Sequence, residues 1–177
     1  MGLKWRNSGQ ACISANRVYV QANVYQQFAE IISQRTSKLV VGHGNDAKTT
    51  LGPVTTPQSL DRVLGQIQDA KRKGAHVLLG GKRLTANDGF FLQPTIIGDA
   101  TKEMKVSDEE SFAPILALFK FTSEAEAVEL ANDTPVSPRA YHVGLSDNNV
   151  PRWVWRRTFL PKIWIEHGGS LMSWKPV

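Results

Sequence analysis

A chain of 177 residues, 41% hydrophobic and 21% charged, has the size and balance of a single globular domain with its own core. No apolar run is long enough to span a membrane, Met1–Gly9 lacks the apolar core of a leader peptide, and the single cysteine excludes an internal disulfide. The formal charge of +5 is uneven, with 15 basic against 14 acidic residues through position 137 and 6 against 2 after it, so the main body is nearly neutral.

Arg17–Gln21 (RVYVQ) is β-branched and aromatic and predicts a short strand. From Asn23 to Leu39, the residues Val24, Phe28, Ile31, Ile32, Arg35 and Leu39 fall on one helical stripe, closed by Gly42 and Gly44. Thr56 followed by Pro57 is an N-cap and first-turn proline. The helix they start turns Leu60, Val63, Leu64, Ile67 and Ala70 inward and stops at Gly74. His76–Leu79 predicts a strand ending at Gly80-Gly81. Phe90–Ile97 predicts another, after an Asn87-Asp88-Gly89 turn, and Ile115–Phe121 reads as a buried strand. Ser123 and Glu126 form a capping box for a helix through Ala131. Strand, helix, helix, strand, strand, strand, helix is the order of an α/β layered domain on a partly parallel sheet.

After Asn132 the pattern degrades. Pro135, Pro138, Pro151 and Pro161 interrupt it, and Arg152–Arg157 keeps no clear period. Residues 137–177 hold four of the five tryptophans, Trp153, Trp155, Trp164 and Trp174. They are expected to form a divergent tail that is disordered or an out-of-frame translation. Nucleic-acid binding is not expected, because the tail's charge is spread thinly and no nucleic-acid fold signature is present.

Three local features can carry chemistry. Cys12 follows Gly9-Gln10-Ala11. It is either a small buried filler or a nucleophile, with Gly9 letting the backbone turn tightly and the Cys12 N–H near a developing oxyanion. Asp108-Glu109-Glu110-Ser111-Phe112-Ala113-Pro114 is either a solvated acidic turn or a place where a carboxylate accepts hydrogen bonds from vicinal hydroxyls. Arg6 is either solvated or a fork for an anionic substrate tail. No metal site is expected.

Taken together, Lys4-Trp5-Arg6-Asn7-Ser8-Gly9-Gln10-Ala11-Cys12 and Ala15-Asn16-Arg17-Val18-Tyr19-Val20-Gln21 resemble the catalytic-cysteine segment of the aldehyde dehydrogenase superfamily. Within it they are most similar to the NAD(P)-dependent succinate-semialdehyde branch. The resemblance continues in order through Leu51-Gly52-Pro53, Gly74-Ala75, Gly80-Gly81-Lys82, Phe91–Ile96, Glu109–Pro114 and Ala131–Thr134. It implies a three-layer α/β/α catalytic domain, incomplete, over residues 1–136, with the family's N-terminal cofactor-binding domain absent. It also implies oxidation of succinate semialdehyde to succinate with NAD or NADP, through a thiohemiacetal and a thioester. By position, Cys12 matches the nucleophile, Glu110 the carboxylate on the nicotinamide ribose, Phe112 the aromatic beside that ribose and ring, and Arg6 the anchor of the substrate's distal carboxylate.

The chain departs from the pattern in four ways. The general-base glutamate and oxyanion asparagine of the family are expected in the absent domain. Ala113 stands where the family has glycine, which would cost about 1 kcal/mol if the position needs positive φ. Ser14 stands where several relatives have a second cysteine. The tail replaces the segment that completes the pocket and the homo-oligomer sheet. The expected partner is a small aldehyde, with neither nucleic acid nor membrane, in a cytoplasmic or mitochondrial compartment. The chain alone is expected to turn over poorly, and the alternative reading is a non-catalytic remnant acting at most as an interaction module.

Overall fold

The computed structural model describes residues 2–85, 88–133, 139–145, 151–157 and 163–167. A short helical turn, α1 (Gly2–Trp5), leads through a kinked turn at Arg6–Gly9 into β1 (Arg17–Gln21) and α2 (Tyr25–Thr36). Next come α3 (Pro57–Arg72), β2 (His76–Leu79), β3 (Arg83–Leu84), β4 (Phe91–Leu92), β5 (Thr95–Gly98) and α4 (Lys105–Asp108). The chain continues through β6 (Ile115–Phe121), α5 (Glu124–Asn132), β7 (Arg139–Leu145), β8 (Pro151–Arg157) and β9 (Ile163–His167).

Seven strands form one sheet in the order β2-β5-β6-β1-β7-β8-β9, and β3 pairs with β4 in a separate ribbon. β5, β6, β1 and β7 run parallel, β2 is antiparallel to β5 at one edge, and at the other β8 is antiparallel to both β7 and β9, so that β9 again follows the direction of β7. This is the partly parallel α/β arrangement expected from the element order.

The central strands are covered on both faces, which is why Ile115–Leu118 reads as an unbroken apolar run rather than an alternating one. Ile115, Ala117, Phe119 and Phe121 of β6, Tyr19 of β1 and Ile97 of β5 pack with Leu60, Val63, Ile67 and Ala70 of α3, Val106 of α4 and Ala127 of α5. Leu116 and Leu118 of β6, Val18 and Val20 of β1 and Ile96 of β5 pack on the other face with Trp5, Tyr25 and Ala29. The two-residue period of the strands thus divides one apolar sequence between two cores.

α3 forms as expected. Thr56 Oγ1 accepts from the Ser59 N–H at 3.1 Å, Pro57 occupies the first turn, and Gly74 lies just beyond the end at φ +92°. α2 is shorter than expected, and Val24, Phe28, Ile32 and Leu39 of the expected stripe pack against the second core. The buried positions of α2 are Tyr25, Ala29 and Thr36, while Ile31 is 43% exposed and Arg35 faces solvent. The stripe 25, 29, 32, 36 overlaps the expected one, and the boundary falls so that Ile31 and Arg35 are left outside.

The extended run at Phe90–Ile97 divides. Pro94, which has no N–H to give a ladder, separates β4 from β5, and β5 joins the main sheet instead of the β3 ribbon. Asn87 of the expected turn lies outside the described residues. At α5, Ser123 Oγ accepts from the Glu126 N–H, but the Glu126 carboxylate turns to the Thr122 N–H (2.8 Å) and hydroxyl (2.7 Å), so only half of the capping box forms.

The degraded pattern after Asn132 contains three paired strands where the prolines suggest irregular chain. Pro151 is tolerated because it is the first residue of β8, and Trp153, Val154 and Trp155 favour extended backbone. Trp174 lies outside the described residues. Among the described residues no helix is long and apolar enough to cross a membrane.

Leu118, fully buried at the centre of the second core, gives the direct test of this packing. Leu118→Ala is expected to cost about 2–5 kcal/mol in urea denaturation, whereas Ile31→Ala should stay within about 0.5 kcal/mol. A similar loss at both positions would contradict the assignment of α2's faces.

Candidate active site

Two loops that each lead into a strand build the site. One, Arg6–Asn16, enters β1, and the other, Glu109–Pro114, enters β6. β1 and β6 are parallel neighbours with Arg17 opposite Ala117, so both loops emerge at the same edge of the sheet. The Ala117 N–H donates to the Asn16 carbonyl at 3.0 Å, which fixes the base of the first loop to the second strand.

The loops touch at Gly9, which has φ +74°. A Cβ there would drive into the Ala113 carbonyl oxygen and lie 2.8 Å from its carbon, with Lys4 Nζ at 3.3 Å. The glycine therefore serves close approach to the second loop. The backbone around it is strained: Asn7 (φ 50°) and Ser8 (φ 56°) precede Gly9 in the left-handed region, and Phe112 adopts φ 44° in the facing loop. Such strain persists only where surrounding contacts over-determine it, and it concentrates at functional sites. Ala113, fully buried, does not have the positive φ considered for its position; that conformation falls on Phe112, so the alanine carries no such cost.

The contacts that hold the first loop are these. Ser8 Oγ donates to the Gly52 carbonyl at 2.8 Å. The Gln10 side chain donates to the Pro53 carbonyl at 3.2 Å and accepts from the Thr55 N–H at 2.9 Å. Behind the loop Lys4 is buried, and its Nζ donates to Ser14 Oγ (3.1 Å) and Asn16 Oδ1 (2.8 Å). The second loop is braced by α3. Arg62 donates to the Ser111 carbonyl at 3.3 Å, and Gln66 donates to Glu109 at 3.3 Å, with Lys105 3.6 Å from the same carboxylate.

On this frame Cys12 is exposed and unbridged. Arg6 and Glu110 are exposed and make no hydrogen bond or ion pair among the described residues, while Phe112 is half-buried. The frame thus brings the loop carrying Arg6 and Cys12 against the loop carrying Glu110 and Phe112. Of the adjacent carboxylates, Glu109 is occupied structurally and Glu110 is available. An available carboxylate beside an aromatic suits a ribose bearing vicinal hydroxyls. Nothing in the local pattern marks Lys4, Ser8, Gln10 or Gln66, because their partners lie in distant or non-adjacent segments. Ser14, at the position of the missing second cysteine, is buried against Lys4.

Burial without a carboxylate partner pushes the Lys4 pKa down from 10.5 to about 7. The folded chain therefore binds fewer protons than the unfolded one between these values, and this contribution to stability is present above the unfolded value and lost as pH falls through 7. The difference in unfolding free energy between wild type and Lys4→Met is expected to move by about 4 kcal/mol in favour of wild type between pH 6.5 and 10. A pH-independent difference in urea titrations would refute the buried amine. Gly9→Ala is expected to cost about 2 kcal/mol or more. Gly65→Ala, with open space around it in α3, should instead gain about 0.5–1 kcal/mol. Equal effects in thermal melts would contradict the close approach at Gly9.

The aldehyde dehydrogenase family model matches residues 1–159, beyond the boundary expected at 136. The chain is 46% identical over 138 residues to the succinate-semialdehyde dehydrogenase (NADP+) GabD of Escherichia coli K12, covering 78% of this chain and 28% of that protein. It is 44% identical over 138 residues to the 3-sulfolactaldehyde dehydrogenase of Pseudomonas putida, again 78% and 28%. The crystal structure of succinate-semialdehyde dehydrogenase from Burkholderia pseudomallei superposes with a TM-score of 0.75 at 38% identity, over 84% of this chain and 30% of that one. The chain therefore spans somewhat under a third of the length of the relatives it matches. Its sheet order, its two apposed loops and these likenesses lead to one conclusion: the chain belongs to the aldehyde dehydrogenase family.

Proposed function

We propose that this chain carries the nucleophile-bearing part of an NAD(P)-dependent aldehyde dehydrogenase that acts on aldehydes with an anionic tail, with succinate semialdehyde as the leading substrate. The observation that carries the reading is the contact of Gly9 with Ala113. It presses the loop of an exposed Cys12 against the loop of an available Glu110.

In this reading the Cys12 thiolate attacks the aldehyde carbon, a C–S bond forms as the C=O π bond breaks, and the resulting alkoxide takes a proton from solvent to give the hydroxyl of a thiohemiacetal. Arg6, at the outer end of the same loop, pairs its planar fork with the substrate's distal carboxylate. Glu110 accepts from the ribose hydroxyls of the dinucleotide, and Phe112 stands beside the ribose and ring. NAD or NADP, when bound, supplies the hydride acceptor. Loss of hydride and of the hydroxyl proton from the thiohemiacetal leaves a Cys12 thioester, and water cleaves its C–S bond to release the acid and restore the thiol. Succinate semialdehyde and 3-sulfolactaldehyde, in the names of two relatives, are both aldehydes with an anionic group at the far end. This supports placing Arg6 at that end.

The first step can be tested by itself. Succinate semialdehyde is expected to slow alkylation of Cys12 by iodoacetamide at least about tenfold more effectively than butanal at equal concentration. Arg6→Ala should abolish the preference while leaving alkylation without aldehyde unchanged. Equal protection by the two aldehydes would remove the anionic-tail specificity. No protection by either would favour a non-catalytic interaction module.

A further inference from the structure

Lys4 is a buried ionisable group behind the Cys12 loop whose hydrogen-bond partners, Ser14 and Asn16, are both neutral. It is 4% exposed, and its side-chain nitrogen reaches across the chain to Ser14 Oγ and Asn16 Oδ1, 10 and 12 residues away, while it underlies Gly9. The two partners follow Cys12 and Lys4 precedes it, so the contacts close a ring of backbone around the cysteine. Ser14 Oγ also lies 3.4 Å from the Lys4 carbonyl, a second closure of the same ring.

A side chain kept only to fill this volume would be apolar, since burying an amine costs free energy that a methionine avoids. The amine has a property that suits the contacts it makes. A neutral amine carries two N–H donors, and Lys4 has two acceptors. A charged ammonium would add a third donor that the contacts leave without a partner. Burial favours the neutral form above about pH 7.

We propose that Lys4 is a positioning residue for Cys12, its two N–H donors clasping the ends of the Arg6–Asn16 loop so that the thiol is presented in one orientation. The proposal rests on the reading of Cys12 as the nucleophile, but its test needs neither aldehyde nor nicotinamide.

The test compares the whole chain with Lys4→Met, which keeps the volume and loses the donors, and with Lys4→Ala supplemented with n-propylamine or 1-propanol. Two loop amides report closure, Gln10 N–H to the Asn7 carbonyl (3.0 Å) and Ser14 N–H to the Ala11 carbonyl (2.8 Å). In Lys4→Met their hydrogen exchange is expected to quicken about tenfold or more, while the α3 amides keep their protection. In Lys4→Ala the amine should restore protection and the alcohol should not. Because Cys12 is the only cysteine, its alkylation by iodoacetamide gives a second readout. The native rate should differ at least about threefold from that of a peptide spanning Arg6–Asn16, and Lys4→Met should move it to the peptide value. Unchanged loop exchange in Lys4→Met, equal restoration by alcohol and amine, or an alkylation rate unmoved by Lys4→Met would each overturn the proposal. If Lys4→Met loses α3 protection as well, the contrast between amine and alcohol on Lys4→Ala decides the matter. Failure of the aldehyde chemistry would leave these readouts standing.

Discussion

The parallel pairing of β1 with β6 is the constraint on which the site depends. Parallel neighbours begin at the same edge of a sheet, so the segments that feed them must share space there. The chain meets this crowding with a glycine whose missing Cβ admits the Ala113 carbonyl, and with a run of left-handed residues that carries the first loop past the second. Ligand sites in open α/β sheets are more often found at the carboxyl ends of the strands. Here both chemical loops lead into strands, and it is their collision that forms the site.

That strained arrangement is held by ordinary forces. Apolar packing on both faces of β6 fixes the sheet, and α3 spans one face from its Thr56 cap to Gly74. The same helix braces the acidic loop through Arg62 and Gln66, while the Gly52–Thr55 segment just before it receives Ser8 and Gln10. α3 and the segment that leads into it therefore register both loops. The groups with chemical potential, Cys12, Arg6 and Glu110, are left exposed on a tied backbone, the arrangement by which a scaffold presents reactive side chains without spending them on structure. Glu109 illustrates the division, since it is engaged by Gln66 and Lys105 while its neighbour is not.

Much of the fold is legible in the residues, and the reason differs by element. α3 announces itself by a cap, a proline, a stripe and a terminal glycine, all local signals that agree. β6 is legible because a strand buried on both faces is apolar throughout. α2 is misread at Ile31 and Arg35 because a helix with apolar residues on two overlapping stripes leaves the boundary of its buried face to tertiary packing. The division at Pro94 follows from the proline's missing N–H, whereas the place of β7 beside β1 depends on a partner far away in sequence. At the candidate site, Cys12, Glu110, Phe112 and Arg6 each allow a bland local reading, and the resemblance to the family rests on the joint order of motifs from Lys4 to Thr134. Lys4 is illegible for a plainer reason, because a lysine beside a tryptophan gives no sign that it turns inward.

The central claim is that Cys12 adds to an aldehyde, and carbon-13 NMR of succinate semialdehyde labelled at the aldehyde carbon reports that addition directly. With the wild-type chain, a new resonance from a tetrahedral carbon bearing sulfur is expected beside those of the aldehyde and its hydrate, and it should vanish in Cys12→Ala. Only the aldehyde and hydrate resonances with the wild-type chain, or the same new resonance in Cys12→Ala, would contradict the account.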